Sequence, residues 1–482
     1  MEPVSYLMDT RLPASYMEKL LDFMHYKFLI QQKQRFGNIT KTTSDTSSHL
    51  FYTVLGVGGQ ALLQVELTAS VPLEVKITPL VDQIPNNFAE EAKQDVVIAM
   101  QLFEEEVRKT TLYFAWREGE KIVPEATDRG EKSLQRIFLE TQVMLFILYS
   151  VLGIFLFTYM SIFFPDLAWI TPLILVGSQL ILVIFSPEII ARAADWHITK
   201  ENPTIHILKY ILPAKENTTA GITYTREQLL RIKKEIYEDI LAKGEEIDCE
   251  SASRIFGKYG ITCQSESLSF RKVNIYELVK KTADKFGFPV PRIIVSNTML
   301  PNAAASGPSP NRGLVLITTG MLVKLEVEEI ESVLGHEFGH LRGRDPLWLY
   351  GLTSGEFLFR FYVLLPFFPF VYNPFLFLIY FWVSLGVIFF IAKFFEARSD
   401  LVSAIEIGKP KVLASALEKI GFQRLMYERT PSFRLRQWVG FDAHPPIYFR
   451  IRRLEKLTVP VNIRHPLVQS IKDVVSGFIA TI

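Results

Sequence analysis

The sequence predicts an α-helical membrane protein, with two transmembrane hairpins joined to soluble α/β segments on one side of the bilayer. Three observations carry this. Of the 482 residues, 49% are hydrophobic, and the mean hydropathy of +0.20 is high for a water-soluble chain. Four apolar segments, 141–164, 167–186, 347–371 and 375–392, each have roughly the ~20 residues that a helix needs to cross a bilayer. Lys and Arg flank both pairs of segments but are missing from the short connections within them, near 165–167 and 372–374.

Taken in order, residues 1–135 read as an extra N-terminal soluble α/β domain. An amphipathic helix is expected near 15–35, strands at 50–57, 61–69 and 72–79, a helix at 87–108 and a hairpin around Gly119-Glu120. Its start is no signal peptide, because Asp9, Arg11, Glu18, Lys19 and Asp22 precede any apolar run. This domain shows no catalytic constellation; it either handles substrate or is a structural appendage. Residues 141–186 form the first hairpin, turning at Pro165-Asp166. The soluble segment 187–346 has expected helices at 225–243 and 273–286 and strands at 292–296 and 313–318. Residues 347–392 form the second hairpin, turning at Tyr372-Asn373-Pro374. The last segment, 393–482, reads as helices at 395–407, 410–420 and 446–457.

The third span carries Glu356 and Arg360, spaced i, i+4 so that they can pair. A buried helical hairpin in a soluble protein is the alternative for either pair. The flanking cations Lys132, Arg136, Arg192, Lys200, Arg342, Arg344, Lys393 and Arg398 place both termini and the segments between the hairpins in the cytoplasm. A multi-pass protein of the cell membrane is therefore expected, with the lipid bilayer as a partner.

The 52 Lys+Arg and 51 Asp+Glu nearly cancel, so nothing marks a nucleic-acid partner. Cys249 and Cys263 have neither zinc-ribbon nor redox spacing. They read as two ordinary thiols in a reducing compartment.

The chemistry is written in His336-Glu337-Phe338-Gly339-His340. Acidic residues open the stretch 326–341, and Ile330, Val333 and Leu334 keep a helical period. Residues at i and i+4 share a helix face, so both imidazoles can reach one ion. A zinc ion held there lowers the pKa of its water to about 7, and Glu337 stands ready as the base that takes the proton. With eight His in the chain, a chance match is expected roughly once in a hundred such sequences. Glu396, in Glu396-Ala-Arg-Ser-Asp400, is the expected third ligand, and Asp400 is expected to orient a ligand histidine. Two membrane crossings separate His340 from Glu396, which returns Glu396 to the side of the histidines. One Zn2+ per chain fits this N/N/O set, with Co or Mn able to substitute.

These residues resemble the HtpX-type membrane zinc metallopeptidases, relatives of the CAAX-prenyl endopeptidases. The matching pieces are Pro301-Asn302-Ala303 with Gly307, Val315–Leu322, His336–His340, Arg344-Asp345, Glu396-x-x-x-Asp400, His444-Pro445-Pro446 and Arg450-Ile451. They span roughly residues 140–457, so the first 135 residues lie outside the resemblance. Ala304 and Ala397 depart from the family, which often carries an aromatic residue at the first position and a bulkier one at the second.

The resemblance implies a gluzincin-like α+β peptidase domain and endopeptidase action on membrane or misfolded proteins, with protein or peptide substrates. A homo-oligomer stays open. It also implies that 313–318 is an edge strand, with Val315 and Leu316 taking up extended substrate by strand addition. Asn302 either holds substrate backbone or is a turn residue. His444 either polarises the scissile carbonyl or caps a helix. Arg450 either orients a carboxylate or substrate, or is a solvated helix charge. A CAAX-type protease and a non-catalytic scaffold with a structural zinc site are the alternative functions.

Overall fold

Leu63, Val65 and Leu67 alternate with less buried neighbours and are themselves fully buried, the signature of a strand with one covered face. In the computed structural model this strand is one of five. The structure describes residues 3–481 except 11, 45–46, 57, 82–86, 109–110, 118–140, 193, 212–225, 244, 246, 369–372 and 430. The hairpin expected at Gly119-Glu120 and the cations Lys132 and Arg136 lie outside the described residues.

The chain divides into two units: Met1–Phe114 with Leu208–Arg271, and Ala115–Ile207 with Lys272–Ile482. This differs from the expected N-terminal domain of 1–135, because a later stretch of chain returns to complete the first unit. In the first unit, β1 (Val4–Met8), β2 (Phe36–Thr43), β3 (Ser48–Leu55), β4 (Ala61–Thr68) and β5 (Leu73–Pro79) form an antiparallel sheet of order β1-β5-β4-β3-β2. The expected helix near 15–35 is α1 (Met17–Phe23) followed by a wide turn over Met24–Leu29, and α2 covers Asn87–Arg108.

Helices Arg226–Asp239 and Cys249–Lys258 belong to the returning stretch. Cys249 opens the second of these helices, and Cys263 lies beyond its end with a Cα–Cα separation of 5.5 Å. The two form a disulfide, which corrects the expectation of free thiols. A chain that turns back at Gly260, in the left-handed region at φ 72, brings the two residues together despite their unremarkable spacing.

The second unit contains the expected apolar helices. They are α3 (Thr141–Phe163), α4 (Thr171–Arg192), α7 (Asp345–Phe359, continued by a wide turn over Arg360–Leu364) and α8 (Pro374–Ile407). Among the described residues, two helical stretches, Pro165–Arg192 and Pro374–Ile407, are long and apolar enough to cross a membrane. The fourth expected span and the expected helix at 395–407 are one unbroken helix, α8. Glu356 and Arg360 make the expected ion pair at 3.2 Å, and Tyr380 of α8 donates to Glu356 at 2.9 Å.

A mixed sheet carries the rest. It comprises β6 (Trp196–Ile198), β7 (Arg292–Ser296), β8 (Ala303–Ser306) and β9 (Leu314–Thr318), in the order β8-β9-β7-β6. β7 and β9 are parallel and fully paired. Ile294, Leu314 and Leu316 cluster with Ala191 at the end of α4. The 313–318 stretch is therefore an interior strand, and the edge is β8, which pairs Ala304 with Leu316 and Ala305 with Val315. Val315 and Leu316 are buried between neighbours and have no free edge to offer, which corrects the edge-strand expectation.

Candidate metal centre and active site

Two helices build the site. The first, α6 (Val327–Gly343), starts with a capping box in which the Glu326 and Glu329 side chains accept from each other's backbone N–H. Glu328 and Glu329 also suit the positive end of the helix dipole. Ile330, Leu334 and Phe338 bury one face. Phe338 packs edge-on against Phe286, the last residue of α5 (Ile275–Phe286). The second helix is the C-terminal part of α8.

A row of glycines on α6 lets the helices touch. A Cβ on Gly335 would lie 2.6 Å from Ile407, and one on Gly339 would lie 2.9 Å from the Ser399 Cα. At Gly343 the Arg398 guanidinium fills the place a side chain would take. The Ser403 hydroxyl donates to the Ser332 carbonyl at 2.8 Å across the same contact.

This contact brings together three of the residues expected as ligands. The facing Nε2 atoms of His336 and His340 are 3.2 Å apart. Glu396 completes the triangle, with Oε1 3.4 Å from His340 Nε2 and Oε2 3.4 Å from His336 Nε2. One donor atom from each of the three lies within 4.8 Å of the others. Tetrahedral zinc with bonds of about 2.0–2.1 Å requires ligand-to-ligand edges of about 3.3 Å, which is the spacing present. Glu396 Oε2 is buried without a well-aligned hydrogen bond, as a donor reserved for a cation would be. The residues therefore fit a zinc ion.

Surrounding groups fix each ligand. Asp400 Oδ1 lies 2.9 Å from His336 Nδ1, within ion-pair distance though not aligned as a hydrogen bond. Arg450, on α11 (Ile447–Glu455, after α9, Pro410–Glu428, and α10, Pro431–Val439), donates to both oxygens of Asp400 at 2.8 and 2.7 Å. Arg450 is buried, so the solvated-charge reading falls and the carboxylate-orienting one stands. Asp345 serves His340 in the same way, with Oδ2 2.7 Å from Nδ1, and is itself held by Arg398 at 2.7 Å. Sequence reasoning assigned Asp345 no role. Its position depends on Arg344, which adopts a left-handed conformation at φ 55 and ends α6 and begins α7 in a single residue.

These charges set the local electrostatics. Burial presses the His336 imidazole downward, but Asp400 and Glu396 outweigh it and the group is pushed up to about 10. His340 is likewise raised against its burial, by Glu396 and Asp345. The Arg450 guanidinium is raised, its burial more than offset by Asp400.

Around this centre, Glu337 Oε2 accepts from the Ala305 N–H of β8 at 2.8 Å, which brings the expected base to the edge strand. His444 Nε2 lies 3.6 Å from Glu396 Oε2. Its backbone N–H donates to Asp442 Oδ1 at 2.8 Å, and its Nδ1 is 2.9 Å from the same oxygen. The Asp442 carboxyl is held low against its burial by His444 and Arg424. Asn302 is tied through its backbone to Thr318, its N–H donating to Oγ1 at 2.9 Å. Lys393, fully buried one turn before Glu396, donates to the carbonyls of Gly440 and Asp442 and so fixes the loop that carries His444. The sequence showed Lys393 only as a flanking cation.

Residues 269–458 match Peptidase family M48. "Protease HtpX homolog 2" of Methanosarcina acetivorans is 31% identical over 217 residues, covering 38% of this chain and 72% of that protein. "Protease HtpX homolog" of Gemmatimonas aurantiaca is 27% identical over 245 residues, covering 43% and 82%. Among solved structures, "Crystal Structure of S. mikatae Ste24p" aligns at 15% identity over 37% of this chain and 48% of that one, with a TM-score of 0.30, too low to bear on the fold. The grouping of His336, His340 and Glu396 beside Glu337, and the extent of the match to a protease relative, lead to one conclusion: the chain is a metalloprotease belonging to peptidase family M48, of the HtpX-like kind.

Proposed function

We propose that this chain is a membrane-embedded zinc endopeptidase that hydrolyses peptide bonds of membrane or misfolded proteins on the cytoplasmic side. The observation that carries the reading is the triangle of His336, His340 and Glu396, with edges of 3.2 to 3.4 Å, next to Glu337. Zinc held there supplies a Lewis acid for the scissile carbonyl and an acidified water.

The remaining work falls to the side chains. Glu337 takes the water proton and returns it to the departing amine. Asp345 and Asp400 keep the two imidazoles turned toward the centre, and Arg450 keeps Asp400 in place. His444 turns Nδ1 to the Asp442 carboxylate and Nε2 toward the site; with both nitrogens protonated, the imidazolium can donate from Nε2 to the developing oxyanion. An extended substrate adds to the edge strand β8 through main-chain hydrogen bonds, taking over the Ala305 N–H when Glu337 turns from it to the water.

Arg192, Lys200, Arg342 and Arg344 favour the cytoplasmic orientation. The Cys249–Cys263 disulfide pulls the other way, because such bonds persist in oxidising compartments. Purified wild type and Glu337→Ala, measured for zinc content and casein cleavage, test the mechanism. The variant should keep its zinc and lose cleavage. Full cleavage by a zinc-loaded variant would refute the role of Glu337, and absence of zinc from active wild type would refute the metal assignment.

A further inference from the structure

The loop that carries His444 runs along the apolar part of α8. The Phe441 ring lies 4.7 Å from Trp382 and 6.0 Å from Phe389. Ala443 packs against the cluster of Leu385, Ile388 and Phe389. Trp382 and Phe389 precede Glu396 by fourteen and seven residues. At 1.5 Å per residue these positions are about 21 and 10 Å further along the helix, within the stretch read as crossing the membrane.

The same segment leaves an apolar face uncovered. Leu435 and Val439, four residues apart and so on one face of α10, are 39% and 56% exposed. Phe441 follows at 37%. Arg436 is exposed beside them, and no Asp or Glu occurs from 431 to 441. Apolar residues on one face with cations at its border are the pattern of a helix lying in the lipid–water interface. Trp382, Val383 and Val387 of α8, beside Phe441, are exposed as well.

We propose that Pro431–Phe441 lies in the interfacial layer of the lipid bilayer, so that the His444 loop is braced by lipid on one side and by α8 on the other. The proposal rests on the reading that α8 crosses a membrane. Lys393 supplies the protein-side brace through the Gly440 and Asp442 carbonyls, and Leu435, Val439 and Phe441 supply the lipid side. Arg436 meets the headgroup phosphates. The oxyanion-directed imidazole is then held at the membrane surface, where a substrate segment leaving the bilayer would meet it.

The test uses full-length protein in liposomes of phosphatidylcholine and phosphatidylglycerol, with Cys249 and Cys263 replaced by Ser. Single spin labels are introduced through Leu435→Cys and Val439→Cys, with Ile379→Cys as the span reference and Glu328→Cys as the water reference. Accessibility to oxygen against a water-soluble nickel complex reports depth. Labels at 435 and 439 should lie about 5–10 Å below the phosphates, with 379 deeper and 328 in water. Each labelled protein is checked for casein cleavage, and either α10 position suffices if the other impairs it. Labels at 435 and 439 as wet as the one at 328, while 379 stays in lipid, would overturn the proposal and leave the membrane reading intact. A wet label at 379 would overturn the membrane reading itself.

Discussion

Replacing Gly339 by Ala adds a methyl group 2.9 Å from the Ser399 Cα and 3.0 Å from its Cβ. Carbon atoms rest at about 3.5–4.0 Å, so α6 and α8 must separate by about 0.6–1.1 Å. The neighbour is backbone and cannot rotate away. Alanine gains about 1 kcal/mol over glycine in a helix interior, and overpacking costs about 1–3 kcal/mol, so the change in stability is small or moderately unfavourable. The effect on the metal site is larger. Glu396 lies three residues from Ser399 on the same helix, and metal–ligand distances tolerate only about 0.2 Å. Zinc affinity is expected to fall roughly 10–100-fold, the range seen when ligand positioning is lost. The assay is competition of full-length protein in detergent with a fluorescent zinc chelator, alongside casein cleavage. Gly257→Ala is the control, since its Cβ would meet nothing within 4 Å. Wild-type zinc affinity in Gly339→Ala would refute the claim that this close approach sets the ligand geometry.

Glu396→Ala should lose zinc together with activity; wild-type metal content would remove Glu396 from the ligand set. Asp345→Asn and Asp400→Asn should each lower zinc affinity or activity by about 10–100-fold, as expected for groups that orient ligand histidines; an unaffected Asp345→Asn would show that its 2.7 Å contact to His340 is idle. Glu356→Gln or Arg360→Met alone should destabilise the detergent-extracted protein by about 3–5 kcal/mol, more than the double variant, because one buried charge is left unpaired; thermal melts in which both single variants match wild type would sink this. In a variant with both native cysteines replaced by Ser, Asn373→Cys should react with an impermeant thiol reagent in intact cells, and Lys200→Cys and Glu328→Cys only after lysis; labelling of all three from outside would reverse the orientation.

Local periodicity made much of this site legible. The i, i+4 spacing of His336 and His340, and of Glu396 and Asp400, fixes which residues share a helix face before any tertiary contact is known. Strand alternation likewise located β3, β4 and β5 to within a few residues. What stayed hidden depends on contacts between distant parts of the chain. The close packing allowed by Gly335, Gly339 and Gly343 depends on α8 lying against them, which no local pattern states. Asp345 orients His340 only because Arg344 takes a left-handed conformation, which nothing in its residue type announces. β8, the short run Ala303–Ser306, is too small and too weakly apolar to be found by pattern, and the resemblance implied an edge at its more hydrophobic neighbour instead. Lys393 looked like a membrane-flanking cation because its two carbonyl partners come from a loop almost fifty residues away.

The interrupted course of the first unit decides how this protein can be cut. Ile232, Ile236 and Phe256, in the returning stretch, are fully buried. A deletion ending at residue 114 would keep Leu208–Arg271 while removing the rest of the unit to which it belongs, leaving those side chains to water or to aggregation. A minimal catalytic fragment therefore needs two excisions, with the second gap closed by a new linker between residues 207 and 272. The reverse graft, moving this unit onto another carrier, would need two attachment points instead of one terminus.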